Sequence, residues 1–348
     1  MELLNKRWAS VVLFVAACCV ALVAAEALVR VFAPHSRDHV VPGGLFTTDT
    51  TLGWALMPGR NLHHHTRYFD VRYDINSMGF RDPHRQLVRL SGMQRVLVFG
   101  DSQIFGWGVQ HGHRLSNLIE SRLPAVELWN MAVPGYGLDQ QVLSYENAAA
   151  HLNADVVVLF VSGPTLERTR RAHIYRKPKP RFVFDADDSV RLVPVSGRSN
   201  SRTGAVYRAL SPLYLPYFLE RQWQTLTDPG KLPVTASEKV SARSARTIGP
   251  LPLALLQRAK SAATDGDARL AVLSDLPPAA TDQLRNFCEV NGIDFLAIPF
   301  TKTTRDVFGP DEQHWNRRGN ALIAELLAAM VSRWSLPDSG MAGDVNFP

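Results

Sequence analysis

Ser102, Asp311 and His314 are the residues whose types and positions could combine into chemistry. An alcohol is a weak nucleophile until a base takes its proton. Acyl chemistry at a serine therefore needs an imidazole within hydrogen-bond reach and a carboxylate that holds the imidazole in one tautomer. Ser102 closes the run Arg95-Val96-Leu97-Val98-Phe99-Gly100-Asp101-Ser102, an apolar stretch that ends abruptly in Gly-Asp-Ser. Far down the chain, Asp311-Glu312-Gln313-His314-Trp315-Asn316 puts an acid three positions before an imidazole. One tight loop can then set Asp311 against Nδ1 of His314 while Nε2 faces Ser102. The oxyanion formed in such a reaction needs donors aimed at it. The amide of Ser102 is one candidate, and the amide of Gly135, in the turn Asn130-Met131-Ala132-Val133-Pro134-Gly135-Tyr136-Gly137, is another.

Each piece alone is ordinary. Gly-Asp is frequent in turns, serine is a frequent helix cap, and Asn316 can cap a last helix whose preceding turn carries the Asp-His pair. The conjunction points to a serine-hydrolase-type site, because all three pieces fall where the sequence predicts loops at the ends of strands. Apolar runs predict strands at Val96–Phe99, Val126–Trp129, Val156–Val161, Leu270–Leu273 and Phe295–Ile298. Helical periodicity covers Leu115–Leu123, Leu138–Leu152, Leu251–Ala263, Ala279–Asn291 and Arg317–Trp334. Strands apolar on both faces, alternating with helices, predict an α/β fold with a parallel sheet covered on both sides. In such sheets the working loops lie at the carboxyl ends of the strands.

Two stretches depart from this alternation. Residues 34–90 are rich in turn formers, and Tyr68-Phe69-Asp70-Val71-Arg72-Tyr73 suggests an edge hairpin laid on the main domain. Residues 168–250 open with a basic run (Arg168, Arg170, Arg171, Arg176, Lys177, Lys179, Arg181). A hairpin follows, Arg181–Phe184 with Val190–Val195, and then an aromatic-rich piece from Tyr207 to Trp223. The expectation is an insertion or lid on the rim of the site, whose basic run either holds an acidic glycan or lipid head group or is simply solvated. The expected organisation is an anchor at 1–33, an extended segment at 34–90, a catalytic domain from 91–167 and 251–336, the insertion at 168–250 and a tail at 337–348.

Residues Trp8 to Ala25 carry no charge and follow Lys6 and Arg7. That span is long enough to cross a bilayer, and basic residues before it place the amino terminus in the cytoplasm. The expectation is a single-pass bacterial inner-membrane protein, held through residues 8–25, with its domain in the periplasm or outside. Val15-Ala16-Ala17-Cys18 resembles a lipoprotein cleavage box, but the apolar run continues past Cys18, which favours an uncleaved anchor; lipidation at Cys18 and simple secretion are the alternatives. Glu26 and Arg30, four apart, mark its exit. With only Cys18, Cys19 and Cys288, no disulfide framework is expected, and Cys288 reads as a small buried apolar residue. The net charge of +6 is mild, and no aromatic-plus-basic module argues for nucleic acid. His63-His64-His65 reads as a solvated loop rather than a metal site, because consecutive side chains cannot share one face. Trp107 and Tyr136 read as wall residues near the mouth of the site.

Gly100-Asp101-Ser102, the Asn130 to Gly135 turn, and Asp311 to Asn316 followed by Gly319 resemble the SGNH, or GDSL-type, hydrolases. Leu52-Gly53-Trp54 and Ile75-Asn76-Ser77-Met78-Gly79-Phe80-Arg81-Asp82 resemble membrane-anchored bacterial members of that family. The resemblance implies a three-layer α/β/α fold with a flavodoxin-like parallel sheet and esterase, lipase or carbohydrate acyl-transfer activity. Ser102 would be the nucleophile, Asp311 and His314 its partners, and Gly135 part of the oxyanion hole. The chain departs from the family pattern after the third strand, where Phe160-Val161-Ser162-Gly163-Pro164-Thr165 lacks the expected Asn. Losing one such donor costs on the order of 10²–10³ in rate. Ser162, Thr165 or the Gly163 amide are the candidates to replace it. The expected function is ester hydrolysis or acyl transfer on short acyl groups of envelope or exported polysaccharide, with a membrane acyl-donor partner in the transfer case. The alternative is a binding or scaffold protein built on an impaired hydrolase fold. Neither a metal nor another cofactor is implied.

Overall fold

In the computed structural model, the described residues are 2–34, 41–66, 68–175, 177–195, 210, 212–227, 247–299, 307–309 and 314–334. Helix α1 (Glu2–Phe32) leads into two antiparallel hairpins, β1 (Phe46–Asp49) with β2 (Gly53–Leu56) and β3 (Asn61–His65) with β4 (Asp70–Asp74). Then come β5 (Gln94–Phe99), α2 (Ser102–Phe105), α3 (Leu115–Arg122), β6 (Val126–Asn130), α4 (Leu138–Leu152), β7 (Val156–Val161) and α5 (Gly163–Thr169). The next stretch holds β8 (His173–Ile174), β9 (Lys177–Pro178), β10 (Arg181–Phe184), β11 (Val190–Val193) and α6 (Leu215–Thr227). The chain closes the domain with α7 (Pro250–Asp265), β12 (Arg269–Ser274), α8 (Pro278–Val290), β13 (Asp294–Ala297) and α9 (Arg317–Trp334).

Five strands form one parallel sheet in the spatial order β13-β12-β7-β5-β6. Counted by sequence within the sheet this is 2-1-3-4-5, the flavodoxin-like order, and the chain reverses direction between β5 and β7. Alternate residues of β5 show how one apolar run serves two layers. Val96 and Val98 join the core beneath α3 and α9 with Leu115, Ile119, Ile323 and Leu327. Leu97 and Phe99 join the core beneath α4, α7 and α8 with Val142, Leu255 and Leu284. The result is a three-layer α/β/α domain, and the carboxyl ends of β5 and β7 flank the crevice where such sheets bind ligands.

The upstream segment is built into this domain by buried polar contacts. Asn76 accepts from the amides of Met78 and Phe80 and fixes the turn that carries Arg81. The Arg81 guanidinium, fully enclosed, donates to the carbonyls of Phe105, Gly106, Val109 and Arg72, which pins the loop after α2 to β4. Burial beside Arg114 pushes its pKa down to about 9. Trp54 donates from its indole to the Pro134 carbonyl at 3.2 Å, and Tyr136 donates back to the Trp54 carbonyl at 2.6 Å.

Two expectations need correction. His63-His64-His65 is not a solvated loop but strand β3. His64 points inward, 3% exposed, with Nδ1 3.0 Å from Tyr73 Oη, while His63 and His65 face Asp70 on the outer side. A strand with one buried face can hide every second histidine, and polar composition conceals that alternation. The basic run is a solvated surface only in part: Arg170, Arg171 and Arg181 are exposed, but other members turn inward. Arg168 pairs with Asp101, Arg171 with Glu167, and Lys179 with Asp139, while Lys177 Nζ lies 3.9 Å from the centre of the Phe46 ring. Arg176 lies outside the described residues.

The Lys179–Asp139 pair has both side chains fully enclosed, and Lys179 also donates to the carbonyls of Arg171 and Pro180. Burial pushes the Asp139 carboxyl up to about 6 and the Lys179 amine down, against their mutual attraction. Removing one member strands the other charge, whereas replacing both with apolar groups does not. Asp139→Ala is expected to cost about 3–5 kcal/mol of stability in urea unfolding of the detergent-solubilised chain, and Asp139→Leu with Lys179→Met to recover most of it.

Candidate active site

Ser102 stands at the first position of α2, directly after β5. Asp101 makes this turn: its Oδ1 accepts from the Gln103 amide at 3.0 Å and caps the helix, and its Oδ2 accepts from Arg168 Nη1 at 2.7 Å. Gly100 is required just before it, because a Cβ there would lie 2.3 Å from Ile104 Cγ1. The short helix ends at Gly106 and turns into Trp107.

His314 comes from the loop before α9. Its Nε2 is 2.9 Å from Ser102 Oγ, a hydrogen bond across a sequence separation of 212 residues. The same loop is tied a second time, since the Trp315 amide donates to Gln103 Oε1 at 2.9 Å. Trp315 itself is buried against Phe160, and Asn316 caps α9 through the Arg318 and Gly319 amides. Asp311 lies outside the described residues, so the structure brings together two of the three expected side chains and is silent on the third. Behind His314 stands Trp107, ring centres 5.8 Å apart, followed by His64 at 4.9 Å from Trp107. A cleft of about 310 Å³ opens beside the imidazole, lined among others by Tyr68, Phe69, Trp107, Gln110, His113 and Arg317.

Gly135 sits in the loop after β6 with φ +88°, a conformation that favours glycine. A Cβ there would also meet the Tyr175 ring at 3.0 Å and Trp54 at 3.4 Å. Asn130 anchors this loop by donating from Nδ2 to the Ile104 carbonyl at 2.7 Å, next to the turn of Ser102. Tyr136 is buried wall rather than mouth, whereas Trp107 faces the cleft. Tyr175, the first residue of the tight turn between β8 and β9, has φ +50° and is 72% exposed over Gly135.

Ser162 and Thr165 are not free to replace a missing donor. The Ser162 amide donates to Thr165 Oγ1 at 2.8 Å, the Thr165 amide donates to Ser162 Oγ at 3.2 Å, and Thr165 Oγ1 donates to the Ser162 carbonyl at 3.0 Å. This is a reciprocal cap of α5, buried throughout. Gly163 opens that helix. From the last turn of the same helix comes Arg168. Its Nη1 spans Asp101 Oδ2 and, at 3.4 Å, the Tyr136 carbonyl. The guanidinium thus joins the loop that carries Ser102 to the loop that carries Gly135. Its pKa is held above the ordinary arginine value by Tyr175 and Asp101, which outweigh burial. Arg168 and Gln103 escape a reading of the sequence: one stood in a run of like charges and the other beside a more conspicuous serine.

No family model matches the chain, and no curated protein does. Solved structures similar to it include the psychrotrophic esterase EstA from a Pseudoalteromonas species, 11% identical, covering 69% of this chain and 98% of that one at a TM-score of 0.39. A lipase/acylhydrolase from Enterococcus faecalis is 9% identical over 69% of this chain and 96% of its own, TM-score 0.35. A member of the lipolytic G-D-S-L family from Veillonella parvula is 14% identical over 69% and 99%, TM-score 0.32.

Gln103 links the two loops without reaching the cleft. Gln103→Ala is expected to slow the reaction of Ser102 with a fluorophosphonate probe by up to about 10²-fold, since displacing a reacting group by 1 Å can cost that much. Gln103→Glu, which keeps the acceptor for Trp315, is expected to slow it far less. Labelling rates by gel fluorescence compare the two.

Proposed function

We propose that the chain is a serine-dependent ester hydrolase or acyl transferase of the SGNH type. The observation that carries this reading is the 2.9 Å contact of His314 Nε2 with Ser102 Oγ, at the carboxyl edge of the sheet. In this mechanism His314 takes the Ser102 proton as Oγ attacks the acyl carbonyl carbon. The tetrahedral oxyanion is held by the amides of Ser102 and Gly135, with the fixed charge of Arg168 on the same side. The imidazolium then gives its proton to the leaving alkoxide, which leaves an acyl-serine. Water, or a sugar hydroxyl, attacks that ester with His314 again as base, and Ser102 is regenerated. Asp311 is assigned the role of holding Nδ1.

The substrates that suit this site are short acyl esters, acetyl above all, on cell-envelope or exported polysaccharide. The cleft beside His314 is small and mixes aromatic walls with Gln110, His113 and Arg317. Helix α1 includes a segment, Trp8–Phe32, that is long and apolar enough to cross a membrane. With Lys6 and Arg7 before it, the domain belongs on the periplasmic side of a bacterial inner membrane. A membrane partner that delivers acyl groups fits the transfer version. Nucleic acid has no part in this reading.

One observation favours a second reading, a glycan-binding protein on a disabled hydrolase fold. The side chains of Ser162 and Thr165 after β7, candidates to complete the oxyanion hole, are consumed in capping α5. Fluorophosphonate labelling separates the two. The enzyme is expected to be modified at Ser102, with Ser102→Ala abolishing the label and His314→Gln lowering its rate by roughly 10⁴-fold or more. An unlabelled wild-type chain favours the binding protein. For the labelled enzyme, release of acetate from acetylated glycan without an acceptor identifies a hydrolase, and release only with an acceptor identifies a transferase.

A further inference from the structure

Among the described residues, helix α6 is fastened at its start to α1, and none of its side chains joins either core of the α/β/α domain. The carboxylate of Glu26 accepts from the amides of Tyr214, at 2.9 and 3.0 Å, and Leu215, at 2.8 Å, at the start of α6. Arg30 completes the clamp. It pairs with Glu26 at 2.7 Å, donates to the Pro212 carbonyl at 3.1 Å and lies 5.1 Å over the Tyr214 ring. Amides at a helix start must find an acceptor, and a side chain from another element supplies it here.

The depth of this clamp follows from helix geometry. Glu26 is eighteen residues beyond Trp8, the start of the apolar span, which at 1.5 Å per residue is about 27 Å along α1. The hydrocarbon core of a bilayer is about 30 Å thick. The clamp therefore falls at the level where α1 leaves the hydrocarbon, and α6 starts at the height of the lipid head groups. Leu219 and Trp223, four residues apart and so on one face, are 55% and 68% exposed. Tryptophan and leucine on one side of a short helix at that height suit the boundary between head groups and acyl chains.

We propose that α6 lies in the interface of the bilayer that α1 crosses, on the side of the globular domain, with Leu219 and Trp223 seated among lipid. The occupant of this face is lipid because the face is continuous with the membrane-spanning helix through the Glu26–Arg30 clamp. Two attachments in place of one then hold the domain in a fixed attitude to the membrane. The proposal stands on the anchor and not on the chemistry of Ser102, so either can fail without the other.

The test uses the full chain in phosphatidylcholine/phosphatidylglycerol nanodiscs. An environment-sensitive fluorophore is placed at Trp223→Cys, with Cys18 and Cys19 changed to Ala. Cys288 is left in place, because burial keeps its thiol protonated with a pKa near 12. Nitroxide lipids labelled at shallow or deep acyl positions then report depth. Shallow nitroxide is expected to quench the probe at least about twofold more than deep nitroxide, as for a helix buried 5–10 Å into the interface. A probe at Val290→Cys, an exposed position at the end of α8, is expected to escape both, and one at Val20→Cys to be quenched by the deep label. Glu26→Ala is expected to weaken quenching at position 223 and leave position 20 unchanged. A position-223 probe that escapes both labels, as at Val290, overturns the proposal and points to a protein covering this face. Stronger quenching by the deep label overturns it in favour of insertion, and loss of deep quenching at Val20 overturns the anchor and the proposal together.

Discussion

An imidazole meets a hydroxyl in this chain because two loops, 212 residues apart in sequence, are locked together by a pair of hydrogen bonds. The Ser102–His314 hydrogen bond is one strand of that lock and the Gln103–Trp315 bond is the other. Closing a loop of that length costs conformational entropy, and the cost is met by burying Trp315 against Phe160 and by the docking of α9 on the sheet. The site is thus a consequence of the core, with the chemistry-bearing side chains riding on elements whose positions hydrophobic burial has already fixed.

The sheet explains why these loops and no others carry the site. Reversal of strand order between β5 and β7 opens a crevice at their carboxyl ends, and the turns after β5, β6 and β7 all empty towards it. Asp101 uses one carboxylate oxygen to cap the turn of Ser102 and the other to hold Arg168, and Arg168 reaches on to the loop of Gly135. A single buried acid–base pair therefore coordinates all three turns. Its Coulomb attraction acts where water is largely excluded, so it is stronger than the same pair would be at the surface.

The legibility of the chain followed the range of its signals. The five strands of the sheet were visible because both faces of each are apolar, and helices such as Leu138–Leu152 and Arg317–Trp334 because their apolar residues recur at helical spacing. The pieces Ser102 and His314 were visible because few other residues could serve the chemistry. Arg168, Gln103 and His64 were not, since the partner that gives each its meaning is brought up only by folding. A run of arginines and lysines looks like a surface, and nothing local reveals that Lys179 will meet Asp139 in a dry interior. The triple histidine shows the same limit, because alternation between two faces cannot be read when all the residues are alike.

The segment before the α/β/α domain is better understood as part of the site than as a spacer. Arg81 grips the loop after α2 through three carbonyls, Trp54 donates to the Pro134 carbonyl and accepts from Tyr136 on either side of Gly135, and His64 and Tyr73 stand behind Trp107 and hence behind His314. Residues between Leu52 and Asp82 thus hold the working loops from the side away from the sheet. Loops carrying reactive groups are ordinarily the softest parts of a domain. Here they are held on both sides, by the sheet beneath and by the amino-terminal hairpins above. A site assembled this way gains preorganisation, which is where most of the catalytic power of hydrogen-bond donors aimed at a developing charge resides.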